Sequence, residues 1–244
     1  PVSTVQWLAA AYMLGAAVMV PVSAFAYRSI RTRPLFLMSV GLLVIGSFIG
    51  GLAPNFTVLL VGRIVQALGT GMLIPVGMNI TLEVAPREKL GTYMGVMGAM
   101  TTLGPSLSVF AAGGILSFFG WHMLLWTFAG LSAMLLLCGM FLPGNIAKLT
   151  KPRLDAASVA FAGLALIGIL YGISIAFSGD LRFASGAAVL GLVFLYLFIS
   201  RQKKLKEPLI SLKPLASKPF TAGTVINMIT LVVIFAMNIV IPVF

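Results

Sequence analysis

One basic residue lies inside a long apolar segment of this sequence and is the side chain best suited to chemistry. Arg63 is surrounded by Leu, Ile and Val within residues 57–84, a segment long enough to cross about 30 Å of hydrocarbon as one helix. An arginine near the centre of such a helix costs on the order of 2.5–3.5 kcal/mol, and each aliphatic neighbour offsets about 0.3–0.6 kcal/mol. Arg63 is therefore predicted to face a water-filled cavity or a partner. The alternative is that its guanidinium reaches the outer interface.

Polar side chains in the first apolar segment are candidates for the same cavity. Tyr12 and Gln6 lie six residues apart and so project from different faces of a helix. Tyr12 is the better candidate for the cavity wall, with helix packing as its alternative role. Gln6 is retained in the candidate set with Tyr12 and Arg63.

The composition identifies the class of protein. The chain has 244 residues, of which 60% are hydrophobic and 9% charged, whereas soluble domains have about 25% charged residues. Apolar runs that contain Gly and Pro favour helices over a barrel, in which polar and apolar residues alternate. The predicted fold class is an all-α membrane protein, a bundle of about eight transmembrane helices. The predicted spans are 5–27, 35–53, 57–83, 91–116, 121–142, 155–177, 184–200 and 219–244.

Small residues in the predicted spans indicate where helices approach closely. The second span contains Gly46, Ser47, Gly50 and Gly51, and the third contains Ala67 and Gly71. Spacings of this kind let two backbones come together.

Basic residues alternate between connections and predict the orientation in the membrane. Fourteen of the 16 Lys and Arg residues fall in every second connection or beside it, and the net charge is +11. The positive-inside rule places these connections in the cytoplasm and both ends of the chain outside. The first of them contains Arg28, Arg31 and Arg33, and the segment 201–218 is expected to meet anionic lipid headgroups. Basic loops used for orientation argue against a nucleic-acid partner.

The sequence lacks the patterns of several other protein classes. It has no metal-binding motif, no phosphate-binding glycine loop and no nucleophile paired with a base. These absences argue against an enzyme or an ATP-driven pump, and no cofactor is expected. The single cysteine, Cys138, is expected to be a small buried hydrophobe. No Asp or Glu lies clearly inside a predicted span, although proton-coupled carriers usually keep a carboxylate there.

The segment LLVGRIVQALGTG resembles the fourth-helix motif of the major facilitator superfamily, in its fourteen-helix drug:proton antiporter branch. Arg63, Gln66, Gly69 and Gly71 match that motif. The segments VQWL and AYML, LAPNFTVLL, APREKLGTYMG and KPRLD resemble further parts of the family, so the resemblance covers essentially the whole chain. It implies that Arg63 takes part in proton transfer and that Gln66 belongs to the transport cavity.

The resemblance also implies a domain organisation. The chain would contain helices two to nine of the family, and thus an incomplete bundle. Its predicted parts are a five-helix N-terminal bundle (1–142), two linker helices (143–200), a basic cytoplasmic linker (201–218) and the first helix of a C-terminal bundle (219–244). In this scheme Arg28, Arg31 and Arg33 form a gate loop, although Ala24, Arg28 and Arg31 occupy positions where the family usually has small and acidic residues.

The fourth predicted span resembles the antiporter motif only in part. The residues concerned are Gly95, Gly104, Pro105, Ser108 and Gly113. Gly113 matches, but Ser108 and Val109 stand where the family has Gly-Pro, and Gly104-Pro105 comes one turn earlier. This helix is interpreted either as a bending, gating element or as a rigid packing helix.

The resemblance implies proton-coupled efflux of lipophilic or cationic drugs by alternating access, as part of a longer parent protein. The expected partners are membrane lipids, a small lipophilic or cationic substrate and protons. The expected location is the cytoplasmic membrane of a bacterium, which the chain crosses several times. The alternative is a truncated or decayed membrane protein that does not transport, which the departures from the family motifs favour.

Overall fold

The chain folds into a bundle of long helices. The computed structural model describes residues 2–141, 144–146, 149, 155–176, 181–205, 208 and 213–240, without the side chains of residues 2–7, 174–176, 181, 213, 215 and 234–240. The described α-helices are α1 (Val2–Ser29), α2 (Thr32–Gly51), α3 (Phe56–Val84), α4 (Leu90–Phe119), α5 (Trp121–Gly139), α6 (Ala156–Ala176), α7 (Leu181–Lys204) and α8 (Lys218–Val240). Short 3-10 helices, Arg87–Lys89 and Lys213–Ala216, precede α4 and α8. The predicted all-α class is confirmed.

Seven helices among the described residues are long and apolar enough to cross a membrane. The part of α8 whose side chains are described, Lys218–Val233, is an apolar helix shorter than these seven. The chain is thus a multi-pass membrane protein, as predicted. Helices α1 and α7 extend beyond the predicted spans because hydropathy marks only the hydrocarbon-crossing part, whereas long basic side chains carry a helix into the headgroup layer.

Helix α3 lies against both α1 and α2, and glycines make these contacts close. A Cβ atom added at Gly46 of α2 would lie 2.6 Å from the Gln66 nitrogen and from the Gly62 oxygen of α3. A Cβ atom added at Gly71 of α3 would likewise press against the carbonyl oxygen of Ala16 on α1. The close approach predicted from small residues is therefore confirmed at these helices.

Helix α5 also packs against α2. A Cβ atom at Gly51 would lie 3.2 Å from the Trp126 ring, and Phe48 meets that ring edge-on with centroids 5.2 Å apart. At the other end of the contact, a Cβ atom at Gly139 would lie 2.5 Å from Phe36. The apolar rings thus fill the space that the glycines leave.

Helices α6 and α7 form a hairpin with its own contacts. A Cβ atom at Gly168 would lie 2.7 Å from the Gly191 Cα, so the two backbones nearly touch. Where α6 begins, the Asp155 carboxylate accepts hydrogen bonds from the Arg201 Nε (2.6 Å) and Nη2 (2.9 Å) at the end of α7. The hydrogen bond from Arg201 is the main cause that lowers the pKa of the Asp155 carboxyl to about 2.

Helices α4 and α8 are packed far less. Although α4 is fully described, it has no buried residue, and it contacts mainly α5 and the end of α3. Between Lys218 and Val233 of α8, only Thr221 is even half-buried. Cys138 of α5 is exposed, so the prediction that it is buried is wrong. Its side chain lies on a face of α5 that no described helix covers with a close contact.

Candidate functional site

Arg63 lies in the first half of α3. Helix α3 starts after Asn55, whose side chain accepts a hydrogen bond from the Val58 nitrogen (3.0 Å) and caps the helix. Arg63 is about 10 Å along the helix from Phe56. It is half-buried, whereas its neighbours Val61 and Ile64 are exposed. The apolar face of this turn is therefore open, and the arginine belongs to the covered face.

The Arg63 guanidinium contacts protein groups on α3 and α1. Its Nη1 donates a hydrogen bond to the Gln66 Oε1 (3.2 Å) one turn along α3. Its Cζ lies 5.3 Å from the centre of the Tyr12 ring on α1. A cation at this distance from an aromatic ring is attracted by the ring's π electrons. The positive charge is thus held between two helices.

Further hydrogen bonds tie these side chains together. The Tyr12 hydroxyl and the Thr70 Oγ1 lie 2.8 Å apart, and Thr70 donates to the Gln66 carbonyl oxygen (3.1 Å). From α2, the Ser47 hydroxyl accepts a hydrogen bond from the Gln66 Nε2 (2.6 Å). We call Tyr12, Ser47, Arg63, Gln66 and Thr70 the arginine network. It joins α1, α2 and α3.

One donor of the network has no hydrogen-bond partner in the described part of the chain. The Arg63 Nε is buried and donates to no acceptor among the described residues. Buried donors in proteins are nearly always hydrogen-bonded, so such a group suits an acceptor that arrives from elsewhere. This is the chemical capacity of the site: a fixed cation with a free N–H, set beside an aromatic ring.

Sequence reasoning found only part of this network. Arg63, Gln66 and Tyr12 were predicted as cavity residues, and the structure brings them together. Ser47 was predicted only as a small packing residue, and Thr70 was not singled out. The spacing of Arg63, Gln66 and Thr70 places them on one helix face, which would have identified Thr70. The side chain of the predicted residue Gln6 lies outside the described residues.

The basic residues predicted as a gate loop lie mostly on helices. Arg28 is in the last turn of α1, where its Nε donates to the Ala24 oxygen (3.3 Å), and Arg33 is in the first turn of α2. Only Arg31 lies in the connection, where it is exposed. The connection is short, since α1 ends at Ser29 and α2 begins at Thr32. The three cations nevertheless remain grouped at one end of the bundle.

The partial antiporter motif lies on the exposed helix α4. In the described part of the chain, no atom of another helix lies within 4 Å of a Cβ atom added at Gly95, Gly104 or Gly113. Ser108 donates a hydrogen bond to the Pro105 oxygen (2.7 Å). It also lines an apolar groove of about 230 Å³ between α4 and α5, with Leu107, Ala111, Ala112, Ile115, Leu124, Thr127, Phe128 and Leu131. The structure does not bring this motif to the arginine network.

A bundle of membrane-crossing helices with a polar network at a helix junction is typical of a membrane transporter. The family model of the Major Facilitator Superfamily matches residues 1–244. The chain belongs to this superfamily.

Drug-resistance proteins are among the chain's relatives. It is 33% identical to the lincomycin resistance protein LmrB of Bacillus subtilis over 99% of this chain and 51% of that protein. For the LmrB of Listeria monocytogenes the identity is 31% over 99% of this chain and 52% of that protein. The multidrug resistance protein B homolog of Mycobacterium tuberculosis is 35% identical over 57% of this chain and 26% of that protein.

These matches bear on the non-transporting alternative and on how much of its relatives' length the chain covers. The chain spans about half the length of the Bacillus and Listeria relatives. Similarity to transporter-family proteins runs along 98–99% of its residues. A decayed, non-transporting protein is therefore not favoured.

Proposed function

We propose that this chain forms part of a proton-coupled exporter of lipophilic or cationic compounds that works by alternating access. The observation that carries the proposal is the arginine network. Arginine is always charged in proteins, and keeping this charge in an apolar helix requires polar partners or water. The contacts of Arg63 with Gln66 and Tyr12 favour a role inside the bundle over an interfacial anchor.

A guanidinium that cannot lose its proton acts on transport as a fixed positive charge. An acidic group near the free Arg63 Nε would be stabilised in its ionised form, and protonation of that acid would remove the attraction. A cationic substrate approaching the same acid would compete with the proton. This competition is a physical basis for exchanging one cation for the other across the membrane.

The relatives support the class of compound. Their names refer to lincomycin resistance and to multidrug resistance. We therefore propose drugs as substrates, and lincomycin is the first compound to test. The Tyr12 ring, which is half-buried beside the cation, offers an apolar surface for a lipophilic substrate.

Two further roles belong to the proposal. Arg28, Arg31 and Arg33 would take part in a cytoplasmic gate, since they are grouped where α1 meets α2. The exposed helix α4, which carries Gly95, Gly104 and Gly113, would pack against the opposite bundle, because exposed glycines permit close helix approach. Both roles follow from alternating access.

The decisive experiment compares Arg63→Ala with Ile64→Ala in cells that express the complete gene. Ile64 is the neighbouring exposed apolar residue and serves as the matched control. At equal amounts of membrane protein, Arg63→Ala is expected to lower the initial rate of dye efflux about tenfold or more, a change that equals about 1.4 kcal/mol. Ile64→Ala is expected to export like the wild type.

Three results would contradict the proposal. If Arg63→Ala exports dye and protects cells from lincomycin as well as the wild type, the role of Arg63 is wrong. If a protonophore that collapses the proton gradient leaves wild-type efflux unchanged, the coupling to protons is wrong. Absence of efflux from the complete wild-type protein would support the non-transporting alternative.

A further inference from the structure

We propose that Ser47 on α2 is a positioning residue for transport: it fixes the Gln66 amide, and through that amide it holds the Arg63 guanidinium in place. The inference rests on the proposed role of Arg63 and extends it to a helix that does not carry the arginine. Neither the composition nor the family motif around Arg63 indicates this residue.

The direction of the hydrogen bonds at Ser47 determines how the Gln66 amide is oriented. Its hydroxyl donates to the Leu43 carbonyl oxygen (2.7 Å) on the preceding turn of α2. A serine hydroxyl has one proton, so it meets its next neighbour as an acceptor. That neighbour is the Gln66 Nε2, at 2.6 Å. The amide nitrogen of Gln66 must therefore face α2.

The orientation of the Gln66 amide in turn determines its bond to Arg63. With its nitrogen toward α2, the Gln66 amide turns its oxygen toward Arg63, and Oε1 accepts from Nη1 at 3.2 Å. The opposite orientation would bring an NH2 group against a guanidinium, and both groups are donors. The orientation of the amide is assigned from this network of partners. Ser47 thus selects the amide orientation that binds the arginine.

Burial of the Ser47 and Gln66 side chains makes this arrangement rigid. Ser47 is 1% exposed and Gln66 is 3% exposed. The helices come this close because Gly46 has no side chain, so that the short serine hydroxyl reaches across from α2. Without the hydroxyl, the buried Nε2 would lose its partner, and a buried unpaired donor drives a side chain to rearrange.

A matched control is present on the same helix. Ser39 of α2 is fully buried, and its hydroxyl donates to the Leu35 oxygen (2.8 Å), the same bond within the helix that Ser47 makes. Ser39 lies two turns before Ser47 and contacts Gly69 rather than Gln66. Ser39→Ala therefore removes an equivalent hydroxyl from the same helix without removing a partner of the amide.

The experiment measures dye efflux at saturating dye, per amount of membrane protein, from the complete gene. Ser47→Ala is expected to lower the maximal rate about tenfold, as for the loss of a hydrogen bond that supports a charged group. Ser39→Ala is expected to stay within about twofold of the wild type. Ser47→Thr, which keeps a hydroxyl, is expected to recover much of the rate.

A double-mutant cycle distinguishes positioning from packing. If Ser47 acts through the amide, Ser47→Ala should have little further effect in a Gln66→Ala background. An equal loss in both backgrounds would mean that Ser47 acts by packing and would overturn the proposal. If Ser47→Ala does not accumulate in the membrane, Ser47→Cys gives the same comparison, because a thiol keeps the volume but accepts hydrogen bonds weakly.

The failure of this inference differs from the failure of the proposed function. Wild-type efflux by Ser47→Ala, together with a defective Arg63→Ala, would contradict the role of Ser47 and leave the role of Arg63 intact. Wild-type efflux by Arg63→Ala would contradict the proposed function itself.

Discussion

Helices α3 and α4 have similar compositions but very different surroundings. Both are rich in glycine and both contain an internal proline, Pro75 in α3 and Pro105 in α4. A Cβ atom at Gly62 of α3 would lie 2.8 Å from the backbone of α2, whereas no atom of another described helix lies within 4 Å of one at Gly98 of α4. A glycine pattern therefore shows that a helix can be approached closely, and not whether another helix does so.

The polar groups of the two helices differ in the same way. On α3, Gln66 and Thr70 bond to side chains of α2 and α1. On α4, the Thr101 and Thr102 hydroxyls both donate to the Gly98 carbonyl oxygen (2.8 and 3.0 Å). These hydroxyls therefore donate within α4 and not to other helices. Inter-helix hydrogen bonds are what give α3 its site.

We expect the largest effect on stability in the comparison of Gly46→Ala with Gly98→Ala. The added methyl at Gly46 would press on the backbone of α3, and overpacking of this kind costs about 1–3 kcal/mol. The methyl at Gly98 meets open space, where alanine favours a helix over glycine by up to about 1 kcal/mol. Thermal denaturation of both purified variants in detergent measures the difference.

Gly46→Ala is expected to lower the apparent melting temperature by several degrees, and Gly98→Ala to leave it unchanged or raise it slightly. Equal melting temperatures would mean that α2 and α3 are not packed as closely as described. A strongly destabilised Gly98→Ala would mean that α4 is covered where the structure shows it open.

A smaller effect is expected at the α6–α7 hairpin, which resembles α2–α3 in its glycine contacts. Asp155→Asn removes the ion pair with Arg201, whose side chain is 43% exposed. Pairs exposed to solvent contribute about 0–1 kcal/mol, so the loss of stability should be small. Melting of the variant and the wild type in detergent, at pH 5 and at pH 8, gives the measurement.

The pH dependence of this pair has a definite sign. The pKa of Asp155 is lowered to about 2 in the folded chain, compared with about 3.9 when unfolded. The contribution to stability is therefore complete above about pH 4 and is lost only as the pH falls toward 2. The difference between variant and wild type should be the same at pH 5 and pH 8. A difference that disappears at pH 5 would contradict the hydrogen-bonded carboxylate.

The sequence predicted the helices, and it singled out Arg63 for a physical reason. A charge in an apolar run is costly wherever it lies, so Arg63 stood out without any knowledge of its neighbours. Ser47 was missed because small hydroxyls are common at helix contacts in membranes, and no local pattern tells which of them reaches another helix. The ends of α1 and α2 were misjudged because hydropathy does not register the helical turns that carry Arg28 and Arg33.

The measurement that most directly tests the account is water access at position 63. Arg63→Cys and Ile64→Cys are prepared in a Cys138→Ala background, since Cys138 is itself exposed, and are treated with a membrane-impermeant thiol reagent. Thiols react as thiolates, which form readily only in contact with water. The account predicts that Arg63→Cys is labelled and that transported dye protects it, while Ile64→Cys is not labelled. Equal labelling of the two, or none at position 63, would contradict it.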